Sequence, residues 1–137
     1  MRHQFGLFLG ASGVVLGLGT VLLCTNVLSR QVTVSWSYDY SDQPACSEKH
    51  PSDCIQEFQI LDYTDPQNPK LLSKVPNPKN PANKVDNISN TFSYGPPFGL
   101  RTIVVVAVAR DKNGELRTSN PYAARKDVEI RPRILAH

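Results

Sequence analysis

The stretch that decides the fold is QVTVSWSYDY, residues 31–40. Val32, Val34, Trp36, Tyr38 and Tyr40 fall on one face, and Gln31, Thr33, Ser35, Ser37 and Asp39 on the other. A period of two in β-branched and aromatic residues predicts a strand with one face in a core and the other in water. A helix would spread the same side chains around its whole circumference.

Directly before this strand runs an apolar segment. From residue 3 to residue 29 there is no Lys, Arg, Asp or Glu, and residues 5–24 (FGLFLGASGVVLGLGTVLLC) are apolar or small throughout. As a helix, that length covers about 30 Å, enough to span a bilayer. Gly6, Gly10, Gly13, Gly17, Thr20 and Cys24 then share one helical stripe, and the GxxxG spacing lets two membrane helices pack closely and self-associate. Read as a signal peptide, the same segment has a short basic start and Val27-x-Ser29 as a small-residue cleavage pair. Both readings make residues 1–30 a signal peptide or a transmembrane anchor. Both also send the rest of the chain out of the cytoplasm, with Arg2 and His3 holding the N-terminus inside.

From Arg30 onward the formal charge of +3 falls to +2, which gives no ground for expecting a nucleic-acid partner. Roughly 100 residues close only a small core, so a covalent staple matters. Cys46 and Cys54 lie eight positions apart in a polar stretch, and in an oxidising compartment they are expected to form a disulfide. Cys46-x3-His50-x3-Cys54 is the competing metal-cluster reading. It lacks a fourth ligand, and Pro44 and Pro51 oppose the helix it needs, so no metal is expected.

Onward, the period stays near two. Residues 55–63 read as a second strand with Ile55, Phe58 and Ile60 in the core, and the skip between the first two suggests a bulge. Residues 70–75 fit a short edge strand, and three prolines in residues 76–84 make that stretch a loop. Residues 87–94 form a further strand, broken by GPPFG. Residues 101–111 (RTIVVVAVARD) carry Ile103, Val105, Ala107 and Ala109 on one face and Val104, Val106 and Val108 on the other. A run apolar on both faces belongs to a central strand. A last strand follows through Val128 and Ile130. With no helical periodicity beyond residue 30, this pattern predicts an all-β antiparallel sandwich over residues 31–131, ending in a short tail at 132–137.

VTVSW, then I-x-x-F-x-I, then I-x-V-x-A-x-A-R-D-K-N-G followed by SNP resembles a fibronectin type III domain, an immunoglobulin-like β-sandwich. Ile103 departs from the family pattern, standing where the tyrosine of its corner motif usually sits. The family's first strand would fall inside the apolar span. It is therefore either missing, which leaves the edge of residues 31–40 open to a partner strand, or borrowed from VLLCTNV. The tail RPRILAH is the other segment able to cover that edge.

The resemblance implies that the turns over 39–54, 76–86 and 111–122 gather at the end of the domain far from the apolar segment. Recognition usually sits in long loops on a rigid scaffold. The candidate contacts are Tyr40, Lys49, His50, Lys79, Asn80, Arg117, Asn120 and Tyr122. Three scattered histidines and no phosphate loop, HExxH or CxxC motif offer no catalytic constellation and call for no cofactor. The expectation is an exported, membrane-tethered or secreted binding module that recognises a protein or a glycan. Its alternative is an assembly subunit that docks through its helix stripe and open strand edge.

Overall fold

The computed structural model describes residues 6–11, 27–77 and 81–134. They form ten strands: β1 (Gly6–Ala11), β2 (Val27–Leu28), β3 (Arg30–Asp39), β4 (Cys54–Asp62), β5 (Lys70–Pro76), β6 (Lys84–Tyr94), β7 (Gly99–Arg110), β8 (Leu116–Thr118), β9 (Arg125–Ile130) and β10 (Arg133–Ile134). A single 3-10 turn, Pro121–Ala123, separates β8 from β9. The all-β expectation holds for the described residues.

Two antiparallel sheets face each other. One has the order β1-β3-β6; the other has the order β5-β4-β7, with β8 and β9 sharing the far edge of β7. β8 lies along residues 108–110 and β9 along residues 99–104. The faces that meet carry the alternating apolar positions. These are Val32, Val34, Trp36 and Tyr38 from β3, Ile88, Phe92 and Tyr94 from β6, Ile55, Phe58 and Ile60 from β4, and Ile103, Val105, Ala107 and Ala109 from β7. Trp36, fully buried, meets the ring of Phe58 edge-on at 5.5 Å, and Tyr38 meets the same ring at 5.4 Å. Aromatic pairs crossing between sheets in this way add to the area they bury and fix the sandwich register. Val104, Val106 and Val108 are also buried, on the outer face of β7, as a central strand requires.

The skip between Ile55 and Phe58 is a bulge: Ile55 stands opposite Ala109 and Glu57 opposite Val108. A second bulge, unannounced by the sequence, interrupts the pairing of β3 with β6 between Trp36 and Tyr38. There Asn87 takes a positive φ of 59°, a conformation that asparagine tolerates better than most residues.

The N-terminal segment departs from expectation. Residues 6–11 form a strand where a helix was expected, and β1 pairs with β3 from Gly6 opposite Ser37 to Ala11 opposite Val32. Gly6 and Gly10 therefore lie on a ladder instead of a helical stripe, while Gly13 and Gly17 fall outside the described residues. No helix among the described residues is long and apolar enough to cross a membrane. The edge of β3, which a missing first strand would have left open, is thus covered, and by residues 6–11. An uncharged, proline-free segment pairs readily with backbone donors and acceptors that an edge strand would otherwise leave unmet. The described part of the C-terminal tail pairs elsewhere, Arg133–Ile134 with Val27–Leu28.

At the end opposite the long loops, a polar cluster locks the connection from β6 to β7. Asp62 is 4% exposed, and its Oδ1 accepts from the Thr64 amide and hydroxyl at 3.0 and 2.6 Å. Its Oδ2 accepts from Arg101 Nε and from the Tyr94 hydroxyl, each at 2.9 Å. The Tyr94 hydroxyl also lies 2.8 Å from the Pro97 carbonyl. Ile103 forms no such bond and is simply core, so Tyr94 holds this corner instead. Burial acts to raise the Asp62 carboxyl, but the Thr64 hydrogen bonds, with those of Arg101 and Tyr94, outweigh it and hold the pKa below the ordinary value.

Candidate binding site at the distal loops

Three connections lie at the other end of the sandwich: residues 40–53 after β3, the one after β5, described at 77 and 81–83, and 111–115 between β7 and β8. The first is the longest and the most constrained. Its Ala45 bridges Ile55 in parallel, through Cys46 N–H to Ile55 O at 2.9 Å and Ile55 N–H to Pro44 O at 2.8 Å. The expected Cys46–Cys54 disulfide is present and closes the loop beside that bridge. Within the ring, Ser47 and His50 exchange backbone hydrogen bonds at 3.1 Å, turning Lys49 and His50 to solvent.

Tyr40 ties the first loop to the second. It is 5% exposed, stacks edge-on against Tyr38 at 4.7 Å, and donates its hydroxyl to Asn77 Oδ1 at 3.1 Å. The Asn77 amide in turn donates to the Ile55 carbonyl. Tyr40 is therefore a buried post, not the exposed contact expected of it; the alternation that begins at Val32 runs one residue past β3. Burial pushes its hydroxyl up to about 12. Over this post lies an open cleft of about 440 Å³, walled by Tyr40, Cys46, His50, Asn77, Pro81 and Asn83. Lys79 and Asn80 fall outside the described residues.

The third connection is a tight turn built on Asp111. Its Oδ1 accepts from the Asn113 and Glu115 amides at 2.8 and 2.9 Å, and its Oδ2 from Arg117 Nε at 2.9 Å. The Glu115 amide, followed by Arg117, holds this carboxyl below its ordinary pKa. Gly114, at φ 82°, makes the left-handed step that closes the turn.

Between Gln43 of the first loop and the strands β7 and β8 opens a second cleft of about 250 Å³, walled by Gln43, Ile55, Ala107, Ala109, Arg117 and Ser119, with Asn120 in its lining. Asn120 also caps the 3-10 turn, its Oδ1 accepting from the Tyr122 amide at 2.9 Å.

The structure thus brings together Tyr40, His50 and the disulfide around one cleft, and Arg117 and Asn120 around the other. Tyr122 does not join them. The chain has already descended along β7 by then, since the Ala124 carbonyl accepts from Val105 N–H, and Tyr122 packs against Tyr63 at 5.4 Å under Arg125. Sequence reasoning missed Gln43 and Asn77. Both sit in polar, proline-flanked loops, where periodicity says nothing about which side chain turns inward. Among the described residues, no three His, Cys, Asp or Glu side chains gather as a metal site. No family model, curated protein or solved structure matches this chain.

Proposed function

We propose that this chain is an exported, non-catalytic binding module of the fibronectin type III kind that recognises a protein or a glycan with its distal loops. The observation that carries the reading is a pair of clefts on a scaffold stapled by a disulfide, one between the first and second connections and one between the first connection and the strands β7 and β8. A stiff platform with polar, concave loop surfaces suits recognition. The fold assignment is supported by the two sheets β1-β3-β6 and β5-β4-β7-β8, with Trp36 central in the shared core. Export is supported by the charge-free run over residues 3–29 and by a disulfide that an oxidising compartment preserves.

The apolar segment has two competing uses. Residues that serve as β1 in the sandwich cannot at the same time lie in a bilayer, so a membrane tether and a closed β3 edge exclude each other. Mass spectrometry of the chain isolated from its host reads both processing and the cysteine state.

The test of the recognition reading is capture on arrays of glycans and of extracellular proteins. The double variant Lys49→Ala, His50→Ala changes two exposed side chains of the first loop, His50 of them lining the first cleft, and is expected to lose capture while melting as the parent does. Tyr122→Ala, away from the loops, is expected to retain capture. The opposite pattern would remove the distal loops from consideration.

A further inference from the structure

The strand β6 ends one side of its sheet and is paired with β3 alone among the described strands. In an antiparallel ladder alternate residues turn their N–H and C=O groups away from the partner, so half of the β6 backbone groups point outward from the sheet. Among the described residues, no backbone hydrogen bond reaches β6 from another strand. β5, the neighbouring edge of the other sheet, is joined to it only by a side-chain bond, Ser73 Oγ to Asn90 Oδ1 at 2.7 Å.

Natural edges are guarded by charge, proline, bulges or brevity. β5 carries Lys70, Lys74 and Pro76, β8 has three residues, and four of the six residues of β9 are charged. β6 lacks these guards over residues 87–95 (NISNTFSYG), a run with no charge and no proline. Its bulge lies before Ile88. Its two charges, Lys84 and Asp86, stand at the start of the strand and pair with each other at 3.8 Å.

The side chains along this edge lie at the surface and suit a copy of themselves. Ser89, Thr91 and Ser93 are exposed on the outer face of the sheet. Thr91 shares a hydrogen bond with Thr33 at 2.7 Å, and Ser93 accepts from Gln31 at 2.8 Å. A hydroxyl both gives and takes hydrogen bonds, so it can face an identical group across an axis, whereas a charge would face its like.

The uncharged run has its midpoint at Thr91. Antiparallel pairing of two β6 strands about that point sets Thr91 opposite Thr91, Ser89 opposite Ser93 and Ile88 opposite Tyr94. It leaves Lys84 and Asp86 past the end of the facing strand. Twofold symmetry uses the edge once per copy, so association closes at two. We infer that the β6 edge is a self-association surface, on which a second copy of this chain lays its own β6 antiparallel about Thr91 and joins the two β1-β3-β6 sheets into one. The distal loops take no part, so this pairing and the binding reading stand or fall separately.

The test is sedimentation velocity of the full chain between about 1 and about 500 µM, the range in which a small interface shows its affinity. The parent is expected to pass from monomer to dimer across that range, with amide exchange at residues 88–94 slowing as the dimer forms. Thr91→Lys and Thr91→Glu each set like charges face to face at an exposed position. Each is expected to remain folded and to weaken the dimer roughly tenfold or more. Equal parts of the two variants should restore it, because opposite charges then meet across the axis.

A parent that stays monomeric at the highest concentration overturns the inference, even where a foreign extended peptide adds to the same edge. So does a dimer that survives Thr91→Lys, since it is then built from another surface, and so does a mixture of the two variants that stays monomeric. Should either variant fail to fold, the parent decides: exchange at residues 88–94 that ignores concentration overturns the pairing.

Discussion

Asp62 and Asn87 show how single residues set limits on this fold. The Asp62 carboxyl titrates below its ordinary value of 3.8 in the folded chain, so the folded state binds fewer protons there than the unfolded one as pH falls. Its contribution is complete above that ordinary value and is lost as pH drops through the lower folded value. Asp62→Asn should destabilise the protein at neutral pH by about 2–3 kcal/mol, since it removes the charge that Arg101 and Thr64 bind. It should also flatten the acid limb of a stability-versus-pH curve measured by urea denaturation. Asn87, at positive φ in the β3–β6 bulge, should tolerate glycine, whereas Asn87→Val should cost about 1–2 kcal/mol because a β-branched side chain resists that conformation. Neither role was legible in the sequence. Alternation places Asp62 on the inward face, but which donors answer it depends on residues about thirty to forty positions away, Tyr94 and Arg101.

At the scale of elements, the regular strands were legible and the irregular ones were not. The two-residue period of β3 and the doubly apolar run of β7 announced a half-buried and a fully buried strand, and the skip in β4 announced its bulge. The same period carried Tyr40 into the core, although its position at the start of a loop suggested a surface contact. Tyr40→Phe should then lose about 1 kcal/mol with its bond to Asn77, whereas Tyr40→Ala should lose about 3–5 kcal/mol as a cavity opens beside Tyr38. Burial first, and for Tyr94 also its bond to Asp62, holds the hydroxyls of Tyr40 and Tyr94 up to about 12. The unfolded chain gives up these protons first, so stability is whole below pH 10 and declines as pH rises toward 12. Fluorescence-monitored unfolding across that range should record the decline. Replacing Cys46 and Cys54 together by serine should cost about 2–3 kcal/mol and loosen the first loop, read as faster amide exchange at residues 45–55.

For the whole molecule, composition and spacing predicted an all-β chain but not what stands beside β3. An apolar, uncharged segment satisfies the criteria of a bilayer helix and of a sandwich strand alike, since both need hydrocarbon side chains and a fully paired backbone. Only the position of an unmet sheet edge distinguishes them, and that is a property of the assembled fold. A chain lacking residues 6–11 should therefore associate through the bared edge of β3, visible as concentration-dependent light scattering beyond that of the full chain; an unaltered size with an unaltered melt would mean that β1 contributes nothing to closure. The small ladder of Val27–Leu28 with Arg133–Ile134 has a mechanical meaning. Because Val27 faces Ile134, tension applied between those two positions loads the ladder at one end, and its rungs part in turn instead of sharing the pull. The module should yield there under a gentle tug long before its aromatic interior feels any force.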